Sequence, residues 1–179
     1  MKMEQILMSE NANNGDDLYA VVNANSKIIS FMLNKDVSVE DIHPDALASY
    51  YVDYYFSQVN SAGFSKSVHD SQWNADMNAR ILHGLKEMKS FKHYEHFLNR
   101  QDEVGRIPAD KLKSYLDYNY VIDSPLREEL DEDKTFYRID DEIVDLNGQW
   151  LKEHKDTKVL SMDDIFLELE KILGREITR

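Results

Sequence analysis

Residues 50–71 read YYVDYYFSQVNSAGFSKSVHDS. Pro44 stands six positions ahead of this stretch. A proline suits the first position of a helix, because its missing N–H would have no partner there anyway. From Pro44 the apolar and aromatic positions Leu47, Tyr50, Tyr51, Tyr54 and Tyr55 recur at helical intervals, and the pattern runs to about Asn60. Gly63 is placed to stop the helix, since glycine accepts backbone conformations with positive φ. Phe64 then turns back towards a core. The stretch carries one acid before His69, at Asp53. It reads as scaffold, with any function lying to either side.

The same periodicity extends outward in both directions. Residues 16–34 place Leu18, Val21, Val22, Ile28, Ile29 and Met32 on one face, with Asp16 and Asp17 in the first turn at the positive end of the helix dipole. Helices follow over 74–89 and from Phe91 to Gly105, then after Pro108 and after Ser124-Pro125, with a break near 134–137 before the next helix. Ser161, with Asp164 three residues on, opens a last helix that Gly174 ends. No run alternates as a β-strand does. The expected architecture is all-α: one compact domain of seven to nine helices over residues 1–179, with residues 1–14 a flexible N-terminal segment.

The chain has 179 residues, 42% hydrophobic, enough for a substantial core. It has no run of 18 apolar residues and its first residues lack the apolar stretch of a signal peptide. It has no cysteine, which removes disulfides and thiolate metal sites; a cytoplasmic location is expected. The net charge is −13, unevenly spread. Residues 1–60 carry −6, residues 61–120 carry +1 and residues 121–179 carry −8. Bare nucleic acid is a poor partner for such a chain and a basic protein is a good one.

Candidate chemistry is thin. His93 and His96 share a helix face, but no H-E-x-x-H motif or third ligand accompanies them, so surface histidines are expected. His69-Asp70 beside Ser65 and Ser67 resembles a fragment of a triad, although triads are built by geometry and there is no G-x-S-x-G elbow. Asp131, Asp133, Thr135 and Glu142 match calcium-loop positions, but Phe136 stands where the loop needs glycine. No glycine-rich phosphate loop is present. An enzyme using His69, His83, His93 or His96 as acid or base is a rival reading. The expectation is no enzyme, no metal and no cofactor.

Between Leu126 and Asp145 lie nine acids against Arg127, Lys134 and Arg138. Runs of like charge at 131–133 and 140–142 repel one another and are best tolerated when exposed or neutralised by a cationic partner.

The stretch at 50–71 resembles the signature segment of the small bacterial DNA-mimic protein family. Members of the wider family carry an acidic-aromatic helix and an E-V-x-N-G-G-F-like turn. Here the turn is Gln58-Val59-Asn60-Ser61-Ala62-Gly63-Phe64, with Gln58 where the pattern favours Glu and Ser61-Ala62 in place of part of Asn-Gly-Gly. The downstream LREELDEDKTFYRIDDEIVDLNGQWLKEHKD is similar to the family's C-terminal helical region, so the resemblance covers about residues 45–155.

The resemblance implies an all-helical acidic protein, often a homodimer. It would occupy the DNA-binding surface of a transcription factor, of helix-turn-helix type, and exclude operator DNA. The phosphate surrogates it implies are Asp16, Asp17, Asp36, Glu40 and Asp41 in the N-terminal third. In the C-terminal third they are Glu128, Glu129, Asp131, Glu132, Asp133, Asp140, Asp141 and Glu142. Replacing Asp131, Glu132 and Asp133 by Lys is expected to abolish partner binding and spare the fold. The alternative is an acidic interaction or immunity-type module whose partner does not bind nucleic acid. For the dimer contact, Trp73, Tyr115, Tyr118 and Tyr120 are candidates.

Overall fold

The computed structural model describes residues 1–120 and 123–177. Among them the chain is all-α in class, with ten α-helices and one short pair of strands. In order these are β1 (Ile6–Ser9), α1 (Glu10–Asn14), α2 (Leu18–Asn34), α3 (Pro44–Ala62), α4 (Phe64–Asp70), α5 (Ala75–Glu87) and α6 (Phe91–Gly105). Then come α7 (Ala109–Asp117), α8 (Pro125–Asp131), α9 (Ile143–Glu153), β2 (Thr157–Leu160) and α10 (Met162–Leu173). The expected break near 134–137 is a 3-10 turn over Thr135–Arg138. The helix count exceeds the expected seven to nine because α1 and α4 are single short helices that periodicity cannot resolve.

The chain divides into two compact units. The first comprises Met1–Asp53 and Glu142–Arg179; the second comprises Tyr54–Asp141.

In the first unit, α2 packs on α9. Gly148 makes their close approach possible: a Cβ there would stand 2.5 Å from the Leu18 carbonyl oxygen. Two buried asparagines reach carbonyls of α3, Asn25 Nδ2 donating to Ala46 at 2.9 Å and Asn147 Nδ2 to Ser49 at 3.2 Å. The N-terminus corrects the sequence reading. Residues 1–14 are not a loose segment, because Met3, Ile6, Leu7, Met8 and Ala12 are all buried in the unit's core. Ile6–Ser9 pair in parallel with Thr157–Leu160. The strands escape a pattern search because each has four residues, and β1 is apolar on both faces instead of alternating. Ser9 then caps α1, and Ser161 caps α10 by accepting from the Asp164 amide at 3.2 Å.

In the second unit the core is aromatic. Tyr55 and Phe97 meet edge to face at 4.8 Å, and Phe136 packs on Tyr55, Phe56 and His93. Trp73 joins Phe64 to Phe97. Such pairs contribute about 0.5–1.5 kcal/mol each beyond their buried area. Arg100 is buried with its guanidinium 4.2 Å from the Phe64 ring centroid, and it donates to the Leu130 carbonyl.

Gly148→Ala is expected to lower the stability of the first unit by about 1–3 kcal/mol, since backbone and not a flexible side chain meets the added methyl. Urea unfolding of the variant against the parent measures it; an unchanged midpoint would mean α2 and α9 are not in this register.

Candidate partner-binding surface

Gly63 separates α3 from α4 with φ of 91° and ψ of 168°, a conformation open almost only to glycine. A Cβ on Gly63 would lie 2.5 Å from an oxygen of the Asp131 carboxylate. Asp131 takes that space to reach the first turn of α4. It accepts from the Ser65 amide at 2.9 Å and from the Ser65 hydroxyl at 2.6 Å. The Ser65 hydroxyl lies 2.7 Å from Tyr120 Oη, and Tyr115 Oη donates to the Ser65 carbonyl at 2.9 Å. The Asp131 carboxylate thus stands in for the side-chain cap that α4 lacks.

This places one predicted phosphate surrogate inside the scaffold, and others follow it. Asp141 accepts from the Lys92 amide at 2.9 Å and from the Ser90 hydroxyl, capping α6. Asp133 accepts from the Thr135 amide at 2.8 Å and lies 3.7 Å from Arg100. Desolvation raises its carboxyl, but the Thr135 bonds and the Arg100 and His96 charges outweigh it, so the pKa is lowered. Asp17 caps α2 by accepting from the Tyr19 amide. Replacing Asp131, Glu132 and Asp133 together by Lys is therefore expected to disturb the fold as well as any partner binding. It removes the α4 cap and a partner of the buried Arg100.

The remaining acids point outward. Asp140 pairs with Lys92, and Glu129 with Lys111 at 2.8 Å. Both are exposed pairs of small energetic weight. Glu128, Glu132 and Glu142 are exposed and form no ion pair among the described residues. On α8 the division is clean: Leu126 and Leu130 are buried and Asp131 turns to Ser65, whereas Glu128, Glu129 and Glu132 face solvent. Glu128 and Glu132 are four residues apart, neighbours on one helical face. In the N-terminal segment Asp16, Asp36 and Glu40 are exposed and Asp41 is half-buried.

Folding also redistributes the charge. The first unit holds nine basic and eighteen acidic residues, the second twelve and sixteen. The acidic run of the C-terminal third is cut at Glu142, so most of it belongs to the less acidic unit, where Lys92, Arg100 and Lys111 answer part of it.

The histidines correct a further expectation. His93 and His96 are buried, not on the surface. They face the Phe136 ring on α6's inner side. Burial lowers both pKa values, that of His93 to about 4, against a pull from Asp141 on His93 and from Asp133 on His96. His69 lies 2.7 Å from the Tyr118 carbonyl through Nε2 and 3.2 Å from Asp70 through Nδ1. The suspected triad is not assembled. Ser65 bonds Asp131 and Tyr120, not His69, and Ser67 is buried. Among the described residues no group of three or more His, Asp or Glu is placed to hold a metal ion, and no helix is long and apolar enough to cross a membrane. Of the aromatic candidates for a dimer contact, Tyr115 is buried and Tyr118 is exposed.

The residues that sequence reasoning missed are Ser65, the partner of Asp131, and Tyr115 and Tyr120, which bond Ser65 in turn. The one signal in the sequence was Gly63, which marks a backbone no other residue adopts easily.

The family model described as DMP19-like protein matches residues 40–154. No curated protein and no solved structure matches the chain. The matched range contains Gly63, Ser65 and Asp131 and ten of the thirteen acids; Asp16, Asp17 and Asp36 lie outside it.

Asp131→Ala is expected to cost about 2 kcal/mol or more, because it strips a charge-assisted pair of bonds from Ser65. Gly63→Ala should cost at least as much, and the double variant less than the sum, since the added methyl would fill space the carboxylate vacates. Denaturant unfolding of the four proteins gives the coupling; strict additivity would show that the two residues do not touch. The His93 Cε1 proton resonance should titrate near pH 4. A folded-state pKa below the unfolded value makes the contribution of this residue present above pH 6.5 and lost as pH falls from there towards 4. A midpoint near 6.5 would contradict its burial.

Proposed function

The chain belongs to the DMP19-like protein family, and from that membership we propose that it is a DNA mimic. Its exposed carboxylates stand in for phosphates and occupy the DNA-binding surface of a transcription factor, of helix-turn-helix type, so that operator DNA is excluded. The family match over 40–154 is the observation that carries this reading. The charge of −13 supports it, because proteins that grip DNA do so with Lys and Arg aimed at phosphates. Carboxylates do not carry the donor and acceptor pattern of base edges, so the imitation is of the backbone and not of a sequence.

Within the family range, the acids best suited are those the scaffold does not use. On α8 these are Glu128 and Glu132, with Glu129 beside them giving up a weak pair with Lys111. In the first unit Glu142 and Asp41 are others, and Glu40 lies exposed at the entry to α3. Asp131, Asp133 and Asp141 take structural duties instead. The reading needs no catalytic group, metal or cofactor. Assembly as a homodimer in the cytoplasm is part of the proposal, since one chain offers only a short run of DNA-like charge.

Immobilised protein should retain a DNA-binding protein from a lysate of its source, and excess duplex DNA should release it. Glu128→Lys with Glu132→Lys should weaken capture about tenfold or more and flatten its salt dependence, with an unchanged circular dichroism spectrum. Retention that duplex DNA cannot compete would support the acidic interaction or immunity-type module in its place. Sedimentation equilibrium reads the oligomeric state directly.

A further inference from the structure

In the first unit, two histidines and two aspartates are locked crosswise. His43, just before α3, accepts the Asp45 amide at Nδ1 (3.3 Å), and its Nε2 stands 3.5 Å from the Asp156 carboxylate. His154, just after α9, accepts the Asp156 amide at Nδ1 (3.2 Å), and its Nε2 stands 3.0 Å from the Asp45 carboxylate. Each imidazole therefore takes the backbone of one aspartate and gives to the side chain of the other. The rings meet edge to face at 5.6 Å, and Trp150 packs on His154. His43 is buried and the His154 side chain is nearly so.

The geometry fixes the protonation state. A backbone N–H cannot lose its proton, so each Nδ1 that faces one must be the bare lone pair. Each ring proton then sits on Nε2, aimed at a carboxylate. A second proton on Nδ1 would set N–H against N–H and remove both amide bonds. Asp156 adds a further tie, because its carbonyl accepts the Ile6 amide at 3.0 Å, one residue before β2 pairs with β1. A two-stranded parallel ribbon of four residues a strand has little stability of its own.

We propose that this crossed pair is an acid-released latch, holding the β1–β2 ribbon to the start of α3 while the crossed bonds are in place and letting it go when His43 takes a proton. The groups facing the rings are Asp45 from α3, Asp156 from the segment entering β2, and each ring itself. At His43 burial and the His154 ring oppose an imidazolium, and the Asp45 and Asp156 carboxylates favour it. For His43 burial wins, and its pKa is lowered. With the folded value below the unfolded one, the latch is intact above about pH 6.5 and weakens as pH falls below it. The proposal does not rest on the partner reading.

The test uses the full chain, labelled with ¹⁵N. At pH 7.5 both imidazoles should show the Nε2–H tautomer by long-range ¹H–¹⁵N spectra. Between pH 7.5 and 5.5, amide exchange at Ile6, Asp45 and Asp156, corrected for intrinsic rates, should speed up by about tenfold for one proton taken up. The Ile29 amide, in the interior of α2, reports opening of the whole unit and should lag behind. His43→Gln with His154→Gln should abolish the selective acceleration. An Nδ1–H tautomer on either ring, or acceleration at Ile6 and Asp156 no greater than at Ile29, overturns the proposal. Both of those readings come from the unaltered chain and stand even if the variant fails to fold.

Discussion

One carboxylate fills the space that one glycine leaves. Asp131 can reach the Ser65 amide and hydroxyl only because Gly63 has no side chain and takes a positive φ. The bond set closes the turn between α3 and α4 and fixes α8 against α4. It also fixes which face of α8 remains for solvent. With Leu126, Leu130 and Asp131 turned inward, Glu128, Glu129 and Glu132 are left outside. A structural requirement at one position thereby sets the display of charge at its neighbours.

The same economy explains why an acidic surface can coexist with a stable interior. Exposed like charges cost little in water, while the acids that enter the structure are each met by a donor. Asp131, Asp133 and Asp141 meet backbone amides, and Asp17 and Ser161 cap their own helices. The buried cation Arg100 is answered by Glu103, Asp133 and the Leu130 carbonyl. A chain that carries both structural and exposed carboxylates has to keep these two populations apart, and residue type alone does not distinguish them.

The crossed histidines in the first unit and the buried histidines of the second show a related separation. His93 and His96 lie among aromatic rings, where burial keeps them neutral. His43 and His154 lie against carboxylates, where the direction of each ring is set by a backbone amide. Burial lowers the pKa of His43, His93 and His96, so buried imidazoles in both units stay neutral by the same cause in different surroundings.

Local periodicity and punctuation determined the helices: Pro44 and Gly63 bound α3 to within a residue, Ser161 and Gly174 bound α10, and the break before α9 falls where the apolar spacing is interrupted. Composition determined the acidic net charge, and the 50–71 motif carried the resemblance to the family whose model matches residues 40–154. Long-range contact decided the rest. Strand β1 exists because Thr157–Leu160 lies beside it, 151 residues away, and no local pattern encodes a four-residue partner at that distance. Likewise, Asp131 and Glu132 are adjacent acids of the same charge, yet one is bound to Ser65, 66 residues earlier in the chain, and the other faces water. Sequence fixes how many carboxylates there are; only folding assigns each one to the scaffold or to the surface, because the donors that claim them are distant in the chain and near in space.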